Sequence, residues 1–288
     1  MPDLVVRPAG NADVAAIANI AAATGQDDDW GGANPAYVRH LMEHGRVVIA
    51  ELGGDVAGFG AVQEIGPGPT AVTMLCDLFV DPAVHGRGCG RAMLADLWST
   101  AARRMTFSSL HSHAMPLYTS FGLDPWWPLL YLKGYTARLP VINDWTVQSA
   151  TPEAVAAHEL AWTGADRAAE HRAWARRPAA ESILVSRDED DEVIAAGAVI
   201  NRGRDRGIFH LATAPEAEDG VAAGVVLQSL GQLADEPGQL ARVCLPAPHP
   251  AVRALLAAGW RFDEFDLFMA SEPELLDPRR AVPSPGQG

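Results

Sequence analysis

A strand, a glycine-rich loop and a helix follow one another between residues 77 and 94, and this order constrains the fold more than any other segment. The apolar run Leu78-Phe79-Val80 ends the predicted strand, and glycines stand at positions 86, 88 and 90. Glycine lets backbone N–H groups approach an anion closely, and a helix N-terminus attracts negative charge. Arg87 and Arg91 add positive charge to the same loop. The segment predicts a site for a phosphorylated ligand; the alternative is a glycine-rich connector that binds nothing.

Two common nucleotide-binding loops do not match this spacing. A P-loop requires a Gly-Lys-Ser/Thr triplet, which the sequence lacks, and a dinucleotide loop requires a third glycine at position 91, which is arginine. The segment His85-Gly86-Arg87-Gly88-Cys89-Gly90 resembles motif A of the GCN5-related N-acetyltransferase (GNAT) superfamily, Gln/Arg-x-x-Gly-x-Gly/Ala. His85 departs from the Gln or Arg of that motif. The resemblance implies that backbone N–H groups of the loop hold the pyrophosphate of coenzyme A.

The resemblance also has implications for the fold and for the co-substrate. It implies an α/β (α+β) protein with two GNAT-like domains, each a mixed, mostly antiparallel twisted sheet flanked by helices. It implies acetyl-CoA as the co-substrate and no metal. The residues expected to contact coenzyme A are Leu78, Phe79, Val80, His85, Gly86, Arg87, Gly88, Cys89, Gly90, Arg91 and His111.

The element order suggests an internal duplication. Residues 1–140 read β-α-α-β-β-β-α-β-α-β, and residues 145–272 repeat this order. If Pro82 is aligned with Pro215, His210 stands at the position of Asp77, and Asp219, Val221 and Ala223 replace the three glycines. We therefore predict an active first domain, at 1–140, and a degenerate second domain, at 145–272, without a phosphate site. Residues 136–144 form the predicted linker, and residues 273–288 form a predicted disordered tail.

Composition limits the partners. The 288 residues carry a net charge of −14, which argues against nucleic acid and favours a cationic small molecule. Cys76, Cys89 and Cys244 are scattered without metal-ligand spacing, a usage that favours a reducing cytoplasm. No apolar run is long enough to cross a membrane. We expect a cytoplasmic protein with a small-molecule amine acceptor, either a monomer with pseudo-dimeric halves or a weak homodimer.

A second segment points to a general acid. Residues 111–123 resemble the Asn-x-x-Ala-x-x-Leu-Tyr-x-x-x-Gly-Phe segment of GNAT enzymes, with His111 at the Asn position. The resemblance implies that the Tyr118 hydroxyl points at the coenzyme A sulfur and protonates the leaving thiolate. The alternative is a tyrosine that packs in the core. In the second half Leu255 occupies this position, so that half lacks the predicted acid.

The general base has more than one candidate. Asp77 shares a strand face with Phe79, and Glu64 lies near the end of the preceding predicted strand. A carboxylate buried and satisfied by backbone amides is the alternative for Asp77, and His113 is a further possible proton acceptor. The resemblance places residues 27–30 in a loop over the acceptor, where Asp28, Asp29 and Trp30 suit an amine or guanidine, although such runs are commonly only solvated.

The combined pattern predicts an N-acetyltransferase that moves an acetyl group from acetyl-CoA to a primary amine of a small molecule or peptide. Transfer is expected to be direct, within a ternary complex. The alternative is a non-catalytic acyl-CoA-binding sensor or regulatory protein.

Overall fold

The structure is a computed structural model that describes residues 3–25, 35–68, 71–189, 191–234, 236 and 238–287. Its first half follows the predicted element order. The elements are β1 (Leu4–Pro8), α1 (Val14–Ala23), α2 (Pro35–His44), β2 (Gly45–Leu52), β3 (Asp55–Ile65), β4 (Val72–Val80), α3 (Cys89–Leu97), β5 (Arg104–Ser108), α4 (Ala114–Thr119) and β6 (Asp124–Gly134).

The second half repeats this order and adds one short strand. Its elements are β7 (Trp145–Ser149), α5 (Pro152–Thr163), α6 (Ala168–Trp174), β8 (Ala180–Arg187), β9 (Val193–Ile200), β10 (Gly207–Thr213), α7 (Asp219–Gly231), β11 (Ala241–Pro246), α8 (Ala251–Ala257), β12 (Arg261–Ala270) and β13 (Ala281–Val282).

All of these strands belong to one sheet, in the order β1-β2-β3-β4-β5-β12-β6-β11-β10-β9-β8-β7, with β13 beside β10. The two halves exchange their last long strands. β12, from the second half, pairs with β5 of the first half, and β6 pairs with β11 of the second half. β12 and β6 also pair with each other across the centre of the sheet. The predicted division at 140–145 is therefore a division of the sequence, whereas the sheet runs through both halves without a break.

Four apolar clusters cover the two faces of this sheet. One packs α3 and α4 against the first half, through residues such as Met93 and Leu94. A second packs α1 and α2 on the opposite face, through Ile17 and Leu41. A third fills the second half. The fourth lies at the exchanged strands, where the rings of Trp127 and Phe268 stack at 4.4 Å. The centre of the sheet is thus a core that both halves share.

The repeat is visible in backbone detail. Cys76 is bulged out of the β3–β4 register, since Val62 pairs with Leu75 and Ala61 with Asp77. Phe209 is bulged out of the β9–β10 register in the same way, directly before His210. The offset of 133 residues that aligns Asp77 with His210 therefore also aligns the two bulges. A β-bulge redirects the side chains that follow it, so the aligned residues occupy equivalent places in the two halves.

The structure overturns the prediction of a disordered tail at 273–288. Residues 281–282 form β13, antiparallel to Leu211 and Ala212 of β10. Ser284 and Gln287 are buried. The prediction rested on a composition rich in proline and glycine. It failed because Gln287 makes hydrogen bonds in the interior that composition does not report.

Candidate active site

A cleft opens in the sheet between β4 and β5. The two strands are parallel and pair over three residues only, from Thr73–Arg104 to Leu75–Thr106. The Thr106 hydroxyl donates a hydrogen bond of 3.0 Å to the Leu75 carbonyl at the point where the strands part. Beyond that point, within the described part of the chain, β4 pairs with β3 alone. Among the described residues, the backbone of residues 76–80 therefore lacks a strand partner on one side, which suits it to bind an extended ligand.

The glycine loop follows the open end of β4. Gly86 and Gly88 have φ angles of 78° and 86°, and a Cβ on either would meet nothing within 4 Å. The backbone conformation, and not packing, therefore requires glycine at these positions. The first helical bond of α3 runs from the Ala92 N–H to the Gly88 carbonyl, so the N–H groups of the first turn point out of the helix. With Arg87 and Arg91 exposed beside them, these groups fit a pyrophosphate.

Two predicted contact residues come together at the mouth of the cleft. The ring of His85 lies 5.6 Å from the ring of His111, which comes from the segment after β5. The His85 Nε2 lies 2.9 Å from the Val80 carbonyl oxygen. Leu78 and Val80 pack on the α3 side of the sheet, whereas Phe79 packs on the opposite side. The strand and the loop thus supply residues to both faces of the cleft.

Cys89 begins α3 and is buried. Burial raises the pKa of its thiol, which keeps the sulfur protonated and unreactive at neutral pH. The loop cysteine is therefore suited to packing and not to nucleophilic attack.

Tyr118 lies in α4 and is 7% exposed, with its ring edge-on to Trp98 at 6.3 Å. Burial raises the pKa of its hydroxyl, and the negative charges of Asp266 and Asp77 raise it further. The hydroxyl is therefore protonated throughout the neutral range and can donate a hydrogen bond. Asp266 belongs to β12, so the second half contributes a charge to the surroundings of this tyrosine.

Asp77 lies on the opposite face of the sheet, toward α2. Its Oδ2 lies 2.9 Å from the hydroxyl of Tyr37, and the same hydroxyl lies 3.1 Å from the Gly286 carbonyl. Burial raises the pKa of the Asp77 carboxyl to about 7, although the hydrogen bond from Tyr37 acts in the opposite direction. One hydroxyl proton cannot serve two acceptors at once. Both contacts are satisfied when Asp77 carries a proton and donates it, so this carboxyl is set to change its charge near neutral pH.

The other proton acceptors predicted from sequence lie elsewhere. Glu64 is exposed, and its Oε1 accepts a hydrogen bond of 2.7 Å from the Thr73 hydroxyl. Strand alternation places it on the sheet face opposite to Asp77, so the structure does not bring it to the Asp77 site. His113 is exposed beside His85 and His111. The predicted acceptor-binding residues Asp28, Asp29 and Trp30 lie outside the described residues.

The equivalent cleft of the second half is filled by the chain itself. Among the described residues β10 and β11 pair at Gly207 and Ile208 alone, and these positions match Met74 and Leu75 in the short pairing of β4 with β5. The gap beyond is occupied by β13. At the matching helix N-terminus Asp219 forms ion pairs with Arg279 and Arg280, whose hydrogen bonds lower the pKa of that carboxyl to about 2. A carboxylate of the protein thus stands where the first half has its glycine loop.

One buried cluster has the composition of a metal site. Within the described ranges, the ligand atoms of Glu159, His171 and His210 lie within 4.8 Å of one another. Glu159 accepts hydrogen bonds from both rings, at 2.7 and 2.9 Å, and the Arg167 Nε lies 3.0 Å from its Oε1. The guanidinium already balances the carboxylate and would repel a cation. The cluster is therefore an ion-pair network that fixes Arg167.

Three residues near Asp77 were missed by sequence reasoning: Tyr37, Gln63 and Arg167. Gln63 gave a signal, because it follows Phe59 and Ala61 at two-residue spacing and so is a polar residue on an apolar strand face. Its side chain is 2% exposed. Tyr37 and Arg167 gave none, since their positions depend on how two distant helices pack.

The cleft, the bulged strand and the glycine loop define a GNAT domain, and the comparisons agree. An acetyltransferase (GNAT) domain family model matches residues 43–122. Residues 43–122 thus match a GNAT domain, as the motifs predicted, and the mostly antiparallel sheet flanked by helices confirms the predicted fold class.

The relatives differ in how much of the chain they match. N-alpha-acetyltransferase RimI of Mycobacterium tuberculosis is 32% identical over 102 residues, which is 34% of this chain and 63% of that protein. The chain thus spans less than two thirds of that relative's length. A Pyrococcus horikoshii structure covers 99% of this chain and 96% of its own, with a TM-score of 0.73 and 15% identity. A tandem GNAT protein from the clavulanic acid biosynthesis pathway covers 94% and 99%, with a TM-score of 0.58 and 15% identity. At such identity these two structures show a shared fold.

In the described ranges, no helix combines the length and the apolar character that a membrane span requires.

Proposed function

We propose that the chain is an N-acetyltransferase that moves the acetyl group of acetyl-CoA to a primary amine, with its reaction centre at the β4–β5 cleft of the first half. The observation that carries this proposal is the placement of Asp77 and Tyr118. Asp77 lies on the unpaired part of β4 and contacts Tyr37 of α2, whereas Tyr118 lies in the apolar cluster on the α3 face of the same sheet. The glycine loop at the end of β4 supports the position of the coenzyme A pyrophosphate.

The residues divide the proton transfers between them. Asp77 accepts a proton from the acceptor ammonium, directly or through Tyr37, and the free amine attacks the thioester carbonyl. A C–N bond forms and the C–S bond breaks, and the proton that the attacking nitrogen then loses passes to the departing sulfur, so that coenzyme A leaves as the thiol. Tyr118 donates a hydrogen bond to the departing sulfur. Its raised pKa makes full transfer of the phenol proton to a thiolate unfavourable, so its main contribution is to stabilise the developing negative charge.

The pKa of Asp77 favours an α-amine as the acceptor. An α-amino group has a pKa of about 7.7–8.0, so its proton moves to a carboxyl of pKa about 7 at a cost of roughly 1 kcal/mol. A lysine-like amine of pKa about 10.4 would cost roughly 4–5 kcal/mol. The related RimI protein is named as an N-alpha-acetyltransferase, which supports the same class of acceptor.

Tyr118→Phe should lower kcat by about 100-fold while the Kd for acetyl-CoA stays the same, because the hydroxyl acts on charge that develops only in the transition state. Thiol release measures kcat, and calorimetry measures the Kd. Tyr135→Phe is the control, since Tyr135 is exposed near the linker. An unchanged kcat in Tyr118→Phe would move the donor role to water.

Gly88→Val should weaken acetyl-CoA binding by about 100-fold or more, because a β-branched residue is strained at positive φ and its side chain enters the space that the phosphate needs. Gly203→Val is the matched control. Gly203 has a φ of 84° and open space around it, but it lies in a loop of the second half.

Calorimetry on the unaltered protein should give one acetyl-CoA per chain, since β13 and Asp219 fill the second cleft. Two equivalent sites would contradict this assignment.

A non-catalytic acyl-CoA sensor is the second candidate function, and one observation favours it: the Gly286 carbonyl contacts Tyr37 on the acceptor side of the cleft. A sensor would bind acetyl-CoA but release no thiol with any amine. Product formation with a panel of α-amines distinguishes the two.

A further inference from the structure

Residues 286 and 287 run through the interior of the protein between its two halves. Gln287 is 4% exposed, and its main-chain carbonyl accepts hydrogen bonds of 2.6 Å from both the Gln63 Nε2 and the Arg167 Nη1. Its side-chain Oε1 accepts a hydrogen bond of 2.5 Å from the Trp174 Nε1. Gly286 contacts Tyr37, which contacts Asp77. A single residue is thus held by both halves, next to the predicted base.

The side chains that hold Gln287 are all donors, and its backbone N–H donates to the Ser284 carbonyl at 3.0 Å. Arg167, Gln63 and Trp174 are each no more than 3% exposed, so their N–H groups require acceptors from whatever fills this space. Two donors, one of them a guanidinium, converge on one oxygen. That arrangement suits a carboxylate better than a neutral carbonyl, because charge-assisted hydrogen bonds are the stronger kind. The Glu159 carboxylate forms an ion pair with the Arg167 guanidinium and so holds it in place.

The position of the backbone defines where an amine would lie. If a free amino acid replaced Gln287, its carboxylate would meet Arg167 and Gln63, and its amine would take the place of the Gln287 amide nitrogen. That nitrogen is bonded to the carbonyl carbon of Gly286, whose oxygen contacts the Tyr37 hydroxyl. The amine would therefore lie beside the pair formed by Tyr37 and Asp77.

Resting on the proposed function, we propose that Gln63, Arg167 and Trp174 form a subsite that binds the carboxylate and side-chain amide of an α-amino acid acceptor. Residues 286–287 occupy this subsite in the structure, and an acceptor must displace them. The subsite selects acceptors whose amine and carboxylate share one carbon, and the second half supplies two of its three donors.

The test compares two amines that differ only in the carboxylate: L-glutamine and 4-aminobutanamide. Deletion of residues 286–288 should lower the KM for L-glutamine by about tenfold, because the displaced segment no longer competes. Gly286→Val should act in the same direction in the full chain, since a Cβ there would lie 3.1 Å from the Tyr37 hydroxyl and the added side chain would crowd that contact. In the shortened protein Gln63→Met should raise the KM for L-glutamine by about tenfold and leave that for 4-aminobutanamide unchanged. Gln148→Met, at an exposed residue of β7, is the control.

The outcomes separate the two proposals. Equal KM values for both amines in all variants would overturn the subsite and leave the acetyltransferase proposal standing. If no amine is acetylated, calorimetric titration of the shortened protein with L-glutamine still decides the matter. Binding that the intact protein lacks supports the subsite, and no binding in either protein overturns it.

Discussion

Asp77→Asn is expected to lower kcat/KM by at least about 100-fold, the usual contribution of a general base. In the unaltered protein kcat/KM should rise as the pH rises through about 7, because Asp77 must lose its proton before it can accept one from the substrate. In the variant this rise of kcat/KM with pH should be absent. Glu64→Gln is the comparison, since the structure places Glu64 on the exposed opposite face. A larger loss in Glu64→Gln than in Asp77→Asn would reverse the assignment of the base.

The same substitution should stabilise the folded protein at alkaline pH. The folded state holds the Asp77 proton up to about pH 7, whereas the unfolded state releases it near pH 4, so stability falls as the pH rises between these values. The full difference corresponds to roughly 4 kcal/mol, and partial exposure of Asp77 reduces it to about 2–4 kcal/mol. Asp77→Asn avoids this cost, so its Tm should exceed that of the unaltered protein at pH 8 and match it at pH 4. An equal Tm at pH 8 would show that Asp77 is not desolvated.

A fragment of residues 1–140 is expected to be inactive and to fail to form a stable monomer. It lacks β12, which pairs with β5 and with β6, and it also lacks β11, the other partner of β6. The fragment would expose the edges of two strands whose residues form the shared core, and such edges promote aggregation. Size-exclusion chromatography and acetyl-CoA binding measure the effect.

The matched experiment cleaves the full chain between its two halves, so that both pieces remain present in solution. Val141 is 87% exposed in the segment between the halves, so a protease site inserted there should be cleaved readily. The two pieces should remain together and active, because the exchanged strands hold them. A monomeric 1–140 fragment with full activity would contradict the role assigned to β12.

The sequence predicted the first half of the fold well, for a local physical reason. A strand, positive-φ glycines and a helix N-terminus are contiguous in the chain, so residues 77–94 carry the information themselves. The bulge before Asp77 and its counterpart before His210 also follow from a repeat that the sequence contains. The roles of Tyr118, Asp77 and the loop glycines stay predictions that the geometry supports.

The remainder depends on contacts between distant segments. The sequence near residues 130 and 265 does not indicate that β6 and β12 exchange partners. The apolar pattern of each strand would suit pairing within its own half equally well. Gly286 and Gln287 reach Tyr37 and Gln63 across more than 220 positions of sequence. The proline- and glycine-rich composition of this segment instead predicts that these two residues belong to a disordered tail. Interior hydrogen bonds of this kind are set by three-dimensional packing and leave no periodic trace.

The strand exchange also sets the order in which the protein can assemble during synthesis. β5 pairs with β12, whose partners Ser108 and Leu267 are separated by about 160 residues, so the first half has an unfinished edge until nearly the whole chain has left the ribosome. While it waits, that edge can pair with the same edge of a neighbouring nascent chain. Slow translation of the second half should therefore increase intermolecular strand swapping, and the yield of monomer should depend on how quickly residues 261–270 follow residues 104–108.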